Sequence, residues 1–197
     1  CVVDGNVADS WGGGLEVYRS AELSVIDSTI SDNIADNYGG GIECNSNGVI
    51  SVADSDLTDN AAGTSTGGGI DLWSCDLTID DSLVDGNLAG TNGGGVYVGT
   101  LSTLVADGLE LASNTATNGA GLYSEEGELD IANSDIYGNV ASTSGGGVYV
   151  NHYTASVSFS AVDFSANTPS DVYSDDSGTA TSWGLAATFV CDGSGCY

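Results

Sequence analysis

Six positions spaced about one repeat apart, Glu16, Glu43, Asp71, Tyr97, Tyr123 and Tyr149, carry the side chains of this sequence best suited to chemistry. Each follows an apolar residue that closes a glycine-rich triplet, in runs such as Leu15-Glu16-Val17 and Val96-Tyr97-Val98. On adjacent parallel strands the three carboxylates repel one another. A divalent cation relieves such repulsion, and calcium, a hard ion that takes oxygen ligands, is the cofactor the acidic half suggests. The tyrosine half either stacks rung on rung to stabilise its sheet or offers a rigid platform to sugars or to a protein partner.

Catalysis has weaker candidates. Glycoside hydrolysis needs two carboxylates roughly 5–9.5 Å apart across a bond, and with 28 acidic residues such pairs arise from number alone. Asp80-Asp81 and Asp175-Asp176 read as solvated turn residues, and His152 lies where a strand gives way to a corner. A cysteine nucleophile needs positive surroundings, yet Arg19 is the lone Lys or Arg against a net charge of -27. No catalytic residue is expected, and the chain reads as non-enzymatic. The same charge excludes nucleic acid and anionic lipid surfaces as partners. No apolar run approaches the roughly 18 residues of a membrane-spanning helix, so membrane insertion is not expected.

The elements that position these residues follow from a repeat. Glycine triplets occupy 12–14, 39–41, 67–69, 93–95 and 145–147, with Gly119-Ala120-Gly121 filling the gap, so the steps are 27, 28, 26, 26 and 26 residues. A second series, Asn6, Asn33, Asn60, Asn87, Asn114 and Asn139, keeps phase with the first, and an alanine follows each asparagine by two residues. Each triplet leads into a period-2 strand. Leu77-Thr78-Ile79 exemplifies a second strand and Thr29-Ile30-Ser31 a third, giving three short strands per repeat. A coil of this size cannot bury its own apolar face, so like strands must stack in parallel register about 4.8 Å apart around one core. The expected fold is all-β: a single-stranded parallel β-helix of six to seven coils over residues 1–180. In it the Leu15, Ile42, Ile70, Val96, Leu122 and Val148 column points inward and the Glu16-to-Tyr149 column outward. The asparagines form a structural ladder of side-chain amides. Glycine content of 30 against a single proline fits a chain of tight turns.

Ile30-x-x-Asn33, Leu57-x-x-Asn60, Val84-x-x-Asn87, Leu111-x-x-Asn114, Ile136-x-x-Asn139 and Phe164-x-x-Asn167, alternating with Gly-Gly-Gly-(Ile/Leu/Val), resemble known repeats. The likeness is to the FxxN and GGA(I/L/V) repeats of polymorphic outer membrane proteins and related bacterial β-helix surface proteins, and it covers roughly residues 1–175. It implies a right-handed coil at a cell surface with an adhesive role. Enzymes of carbohydrate metabolism also use such solenoids, which makes a carbohydrate-binding or carbohydrate-cleaving, pectate lyase-like protein the alternative. This sequence lacks the Gly-His-Gly and Arg-x-Lys elements of the polygalacturonases.

Cys1, Cys44, Cys75, Cys191 and Cys196 fit no zinc-ligand spacing. Cys191 and Cys196 bracket a four-residue loop and are expected to be disulfide-bonded, which points to an oxidising, extracellular setting. Cys44 should align with Leu72, whereas Cys75 lies three residues further on, about 10 Å along a straight strand. That exceeds the roughly 7 Å Cα reach of a disulfide, so a Cys44–Cys75 bond is expected only if the chain bends near Trp73. Residues 181–197 are the expected C-terminal cap, and the mid-coil entry at Cys1 suggests end-to-end self-association into fibres. Cell-surface proteins or glycans are the other expected partners.

Overall fold

The computed structural model describes residues 1–151 and 156–175, and the backbone of residues 191–192 and 195–196. The described chain is all β and winds as a parallel β-solenoid of about six turns. Its strands fall into four sheets, each built by laying one strand per coil on its predecessor. One sheet carries Leu15–Tyr18, Ile42–Asn45, Ile70–Trp73, Val96–Val98, Leu122–Ser124, Val148–Val150 and Val172–Ser174. We call it the trough sheet. The next along the chain runs from Glu22–Ile26 to Ser156–Ser160, and a third from Val2–Asp4 to Asp163–Ser165.

Three strands per coil were expected, and the fourth sheet is a difference. It consists of short strands just after the asparagines, such as Val7–Ala8, Ile34–Ala35 and Ala61–Ala62. Two residues are too few to carry a period, so only pairing reveals them as strands. Ala35, Ala62 and Ala89 point inward there and are buried, while Val7, Ile34 and Leu88 point outward. The alanine column is thus the inner face of a strand.

The core follows from period 2 on the other three sheets. Ile42, Ile50, Leu57, Ile70, Leu77, Ile79, Leu104 and Leu122 have no measurable exposure or at most 1%. Registration is strict: Ile70 pairs with Ile42 on one side and Val96 on the other, and Asp71 pairs with Glu43 and Tyr97. Corners account for much of the acid. Asp27, Asp54 and Asp81 hold φ of 46°, 50° and 42°, left-handed values that Asp and Asn tolerate better than most side chains.

The asparagines line the inside. Asn33, Asn60, Asn87, Asn114 and Asn139 are fully buried, where an unpaired amide would be costly. Asn60 Nδ2 donates to Asn87 Oδ1 at 3.0 Å and to the Ile30 carbonyl at 2.9 Å, and the Asn60 backbone N–H donates to the same Oδ1 at 2.9 Å. The pattern repeats on every coil and reaches Asn167.

Cys44 and Cys75 are disulfide-bonded, with Cα atoms 6.2 Å apart. This overturns the straight-strand estimate. Cys44 does pair with Leu72, but Ser74 adopts φ 52° and folds the chain back, so Cys75 enters the core beside Cys44. Gly48 makes the room: a Cβ there would lie 2.5 Å from Cys44 Sγ. Cys1 is a free, exposed thiol. The backbone of Gly195–Cys196 pairs antiparallel with Val172–Ser174 and with Cys191–Asp192. The Cys191 and Cys196 sulfurs, and with them the expected disulfide, lie outside the described residues, as do His152, Asp176 and most of the expected cap.

Candidate functional site

The trough sheet holds the aligned column on its outward face. Glu16, Glu43, Asp71, Tyr97, Tyr123, Tyr149 and Tyr173 are paired rung to rung. They point away from the solenoid interior, as expected, but only the first is freely exposed. Glu43 is 3% exposed, Asp71 0% and Tyr97 1%. The expectation of an open acidic and tyrosine face is therefore corrected: the column is the floor of a trough.

Two features raise its walls. On one side the residues just ahead of the glycine triplets stack, with Trp11 bridging to Tyr38 and Asn92 to Asn118. The first glycine of each triplet brings this wall against the floor. Gly39 has φ 61°, and a Cβ on it would sit 2.6 Å from the Glu43 Cβ. On the other side stand the next outward residues of the strands, Tyr18, Asn45 and Trp73. The Trp73 ring leans over Tyr97 with centroids 5.4 Å apart.

The tyrosine half is packed internally. Tyr97 stacks on Tyr123 at 5.7 Å, Tyr123 on Tyr149 at 4.7 Å, and Tyr149 meets Tyr173 at 4.9 Å. The Tyr97 hydroxyl donates to Glu125, and the Tyr149 hydroxyl donates to Asp175 at 3.3 Å. Burial, aided by these carboxylates, holds the Tyr97 and Tyr149 phenols neutral well beyond the usual range. Such a column stabilises the sheet.

The acidic half is less well satisfied. Thr66 donates its hydroxyl to Asp71 Oδ2, while Asp71 Oδ1 has no partner. Glu43 Oε2 likewise has none. Burial pushes the Glu43 carboxyl up to about 7, repulsion from Glu16 adds to this, and a hydrogen bond from Asn45 opposes it. Asp71 is pushed up to about 7, chiefly by burial, with the Thr66 hydroxyl opposing, Glu43 adding and the Trp73 indole opposing. Among the described residues, no three His, Cys, Asp or Glu side chains converge to hold a metal ion, although Glu16, Glu43 and Asp71 follow one another on successive rungs.

Beside Glu43 the walls flank an open cleft of about 260 Å³, lined by Trp11, Tyr38, Glu43, Asn45 and Trp73. Sequence reading found Glu43 and missed the other four. Trp11 and Tyr38 precede the glycine triplets directly, and Asn45 and Trp73 sit two residues after the column. Those fixed offsets were the available signal.

This architecture defines a parallel β-solenoid with an outward trough. No protein-family model, curated protein or solved structure matches the chain significantly.

Proposed function

We propose that the chain is a non-enzymatic structural or adhesive solenoid of an extracellular or cell-surface setting, akin to the bacterial surface repeats its Asn and Gly columns resemble. The trough is its contact face. The observation that carries this reading is the cleft, where Trp11 remains 50% exposed and three aromatic side chains line the same open space as one buried carboxylate. The Cys44–Cys75 bond supports an oxidising compartment. The charge of -27 supports a partner other than nucleic acid or an anionic membrane.

A carbohydrate-cleaving role is the second reading, favoured by one observation: Glu43 and Asp71 are adjacent carboxyls pushed up to about 7. Paired-carboxylate hydrolysis separates its two groups into an acid and a base. Here both shift in the same direction, and Asp71 is fully buried, which favours binding over turnover.

The test is adhesion of beads coated with the intact chain to arrays of glycans and surface proteins, with and without calcium. Selective retention that Trp11→Ala abolishes supports the reading. Retention nowhere, or release of cleaved glycan, overturns it.

A further inference from the structure

Resting on the trough as a contact face, we propose that the cleft among Trp11, Tyr38, Glu43, Asn45 and Trp73 binds an organic cation: a quaternary or N-methylated ammonium head group, as in choline or a methylated lysine side chain. Three aromatic side chains line it, and aromatic π-faces attract a weakly hydrated cation. The floor supplies the counter-charge. Glu43 is 3% exposed, lines the cleft and has an oxygen, Oε2, with no hydrogen-bond partner.

Charge selects among ligands. The titratable groups around Glu43 are Glu16 on the rung before, Asp71 on the rung after and the Tyr38 phenol on the wall. The chain's single guanidinium, Arg19, lies over the Tyr18 ring at 4.9 Å. None of the five lining side chains is basic. A neutral sugar would leave the negative charge of Glu43 unopposed. An unalkylated ammonium is strongly hydrated, and its three N–H donors demand replacement partners on entering the cleft. Alkylation removes that demand and gives the rings apolar surface to cover. At about 260 Å³ the cleft is smaller than the roughly 300–1,000 Å³ of drug-sized pockets, which suits a head group rather than a chain.

Glu43 also makes the site proton-linked. A bound cation favours the carboxylate, so affinity is highest above the raised value of about 7 and falls as protonation removes the counter-charge.

The experiment is calorimetric titration of the intact chain with choline, with its uncharged isostere 3,3-dimethylbutan-1-ol, and with a neutral oligosaccharide, each at about pH 8 and about pH 5.5. Choline should bind at the higher pH, about tenfold or more tighter than the isostere, and weaken about tenfold at the lower pH. Trp73→Ala should abolish binding. Glu43→Gln, checked for an unchanged thermal melt at low pH, should weaken it and remove the pH dependence. Equal affinity for choline and the isostere, binding of the oligosaccharide alone, or no choline binding overturns the inference. Array adhesion that choline does not compete away leaves the adhesive reading standing and the cation site refuted. Choline binding without adhesion does the reverse.

Discussion

Asn87 Oδ1 accepts two hydrogen bonds from Asn60, one from its backbone N–H at 2.9 Å and one from its side-chain amide at 3.0 Å. Both donors are buried. Asn87→Ala therefore strands two donors at roughly 1–3 kcal/mol each, for a loss on the order of 4 kcal/mol. Asn6, at the exposed end of the ladder, accepts from no preceding coil among the described residues. Asn6→Ala should cost under about 1 kcal/mol. Chemical denaturation of the two variants checks the contrast, and equal losses would show that the ladder is not cumulative.

The Cys44–Cys75 bond closes a loop with a sequence separation of 31. Loop-closure entropy then assigns it about 3–4 kcal/mol. Cys44→Ala with Cys75→Ala should lower stability by about that amount under oxidising conditions, while reductant should leave the variant unaffected. A variant as stable as the parent would mean that the bond does not form.

Gly48 tests the same corner. Its Cβ would meet Cys44 Sγ at 2.5 Å and Val17 Cγ1 at 2.8 Å. Gly48→Ala should cost about 1–3 kcal/mol through overpacking, and less in the Cys44→Ala background, where the sulfur has gone. A double-mutant cycle reads the coupling; strict additivity would separate Gly48 from the bond.

Folded Glu43 and Asp71 hold protons up to about 7, against ordinary values of 4.5 and 3.8. The folded state thus binds more protons than the unfolded state between about pH 4 and 7, and their contribution to stability falls as pH rises through that window. Glu43→Gln and Asp71→Asn should each raise stability above pH 7 by on the order of 2–3 kcal/mol, with little change near pH 4. The two gains should not add, because the groups repel one another. Melts across pH check the sign, and destabilisation by both variants at pH 8 would oppose it.

The periods of Gly39, Asn33 and Ile42 were enough to phase the coils, because a stacked fold writes its register directly into residue spacing. Hidden features were those without a period. Ala61–Ala62 is too short to alternate. Ser74 at φ 52° turns a strand that looked straight, so the Cys44–Cys75 contact could not be measured along the sequence. Period 2 told which way Glu43 points but not what stands beside it, and Trp11, Tyr38 and Trp73 join it in one cleft from neighbouring columns. A parity rule separates two faces and is blind to the depth of either.

From Asn6 to Asn139 each side-chain amide donates one N–H to the Oδ1 of the next coil's asparagine, and from Asn33 on the amide also donates back to a backbone carbonyl of the preceding coil. Backbone ladders of a sheet largely cancel their dipoles, but this file does not, and chained amides polarise one another. The side-chain carbonyl dipoles accordingly add along the solenoid axis independent of its ionised groups, each Oδ1 facing the first coil. Adding a coil lengthens that vector without adding a charge.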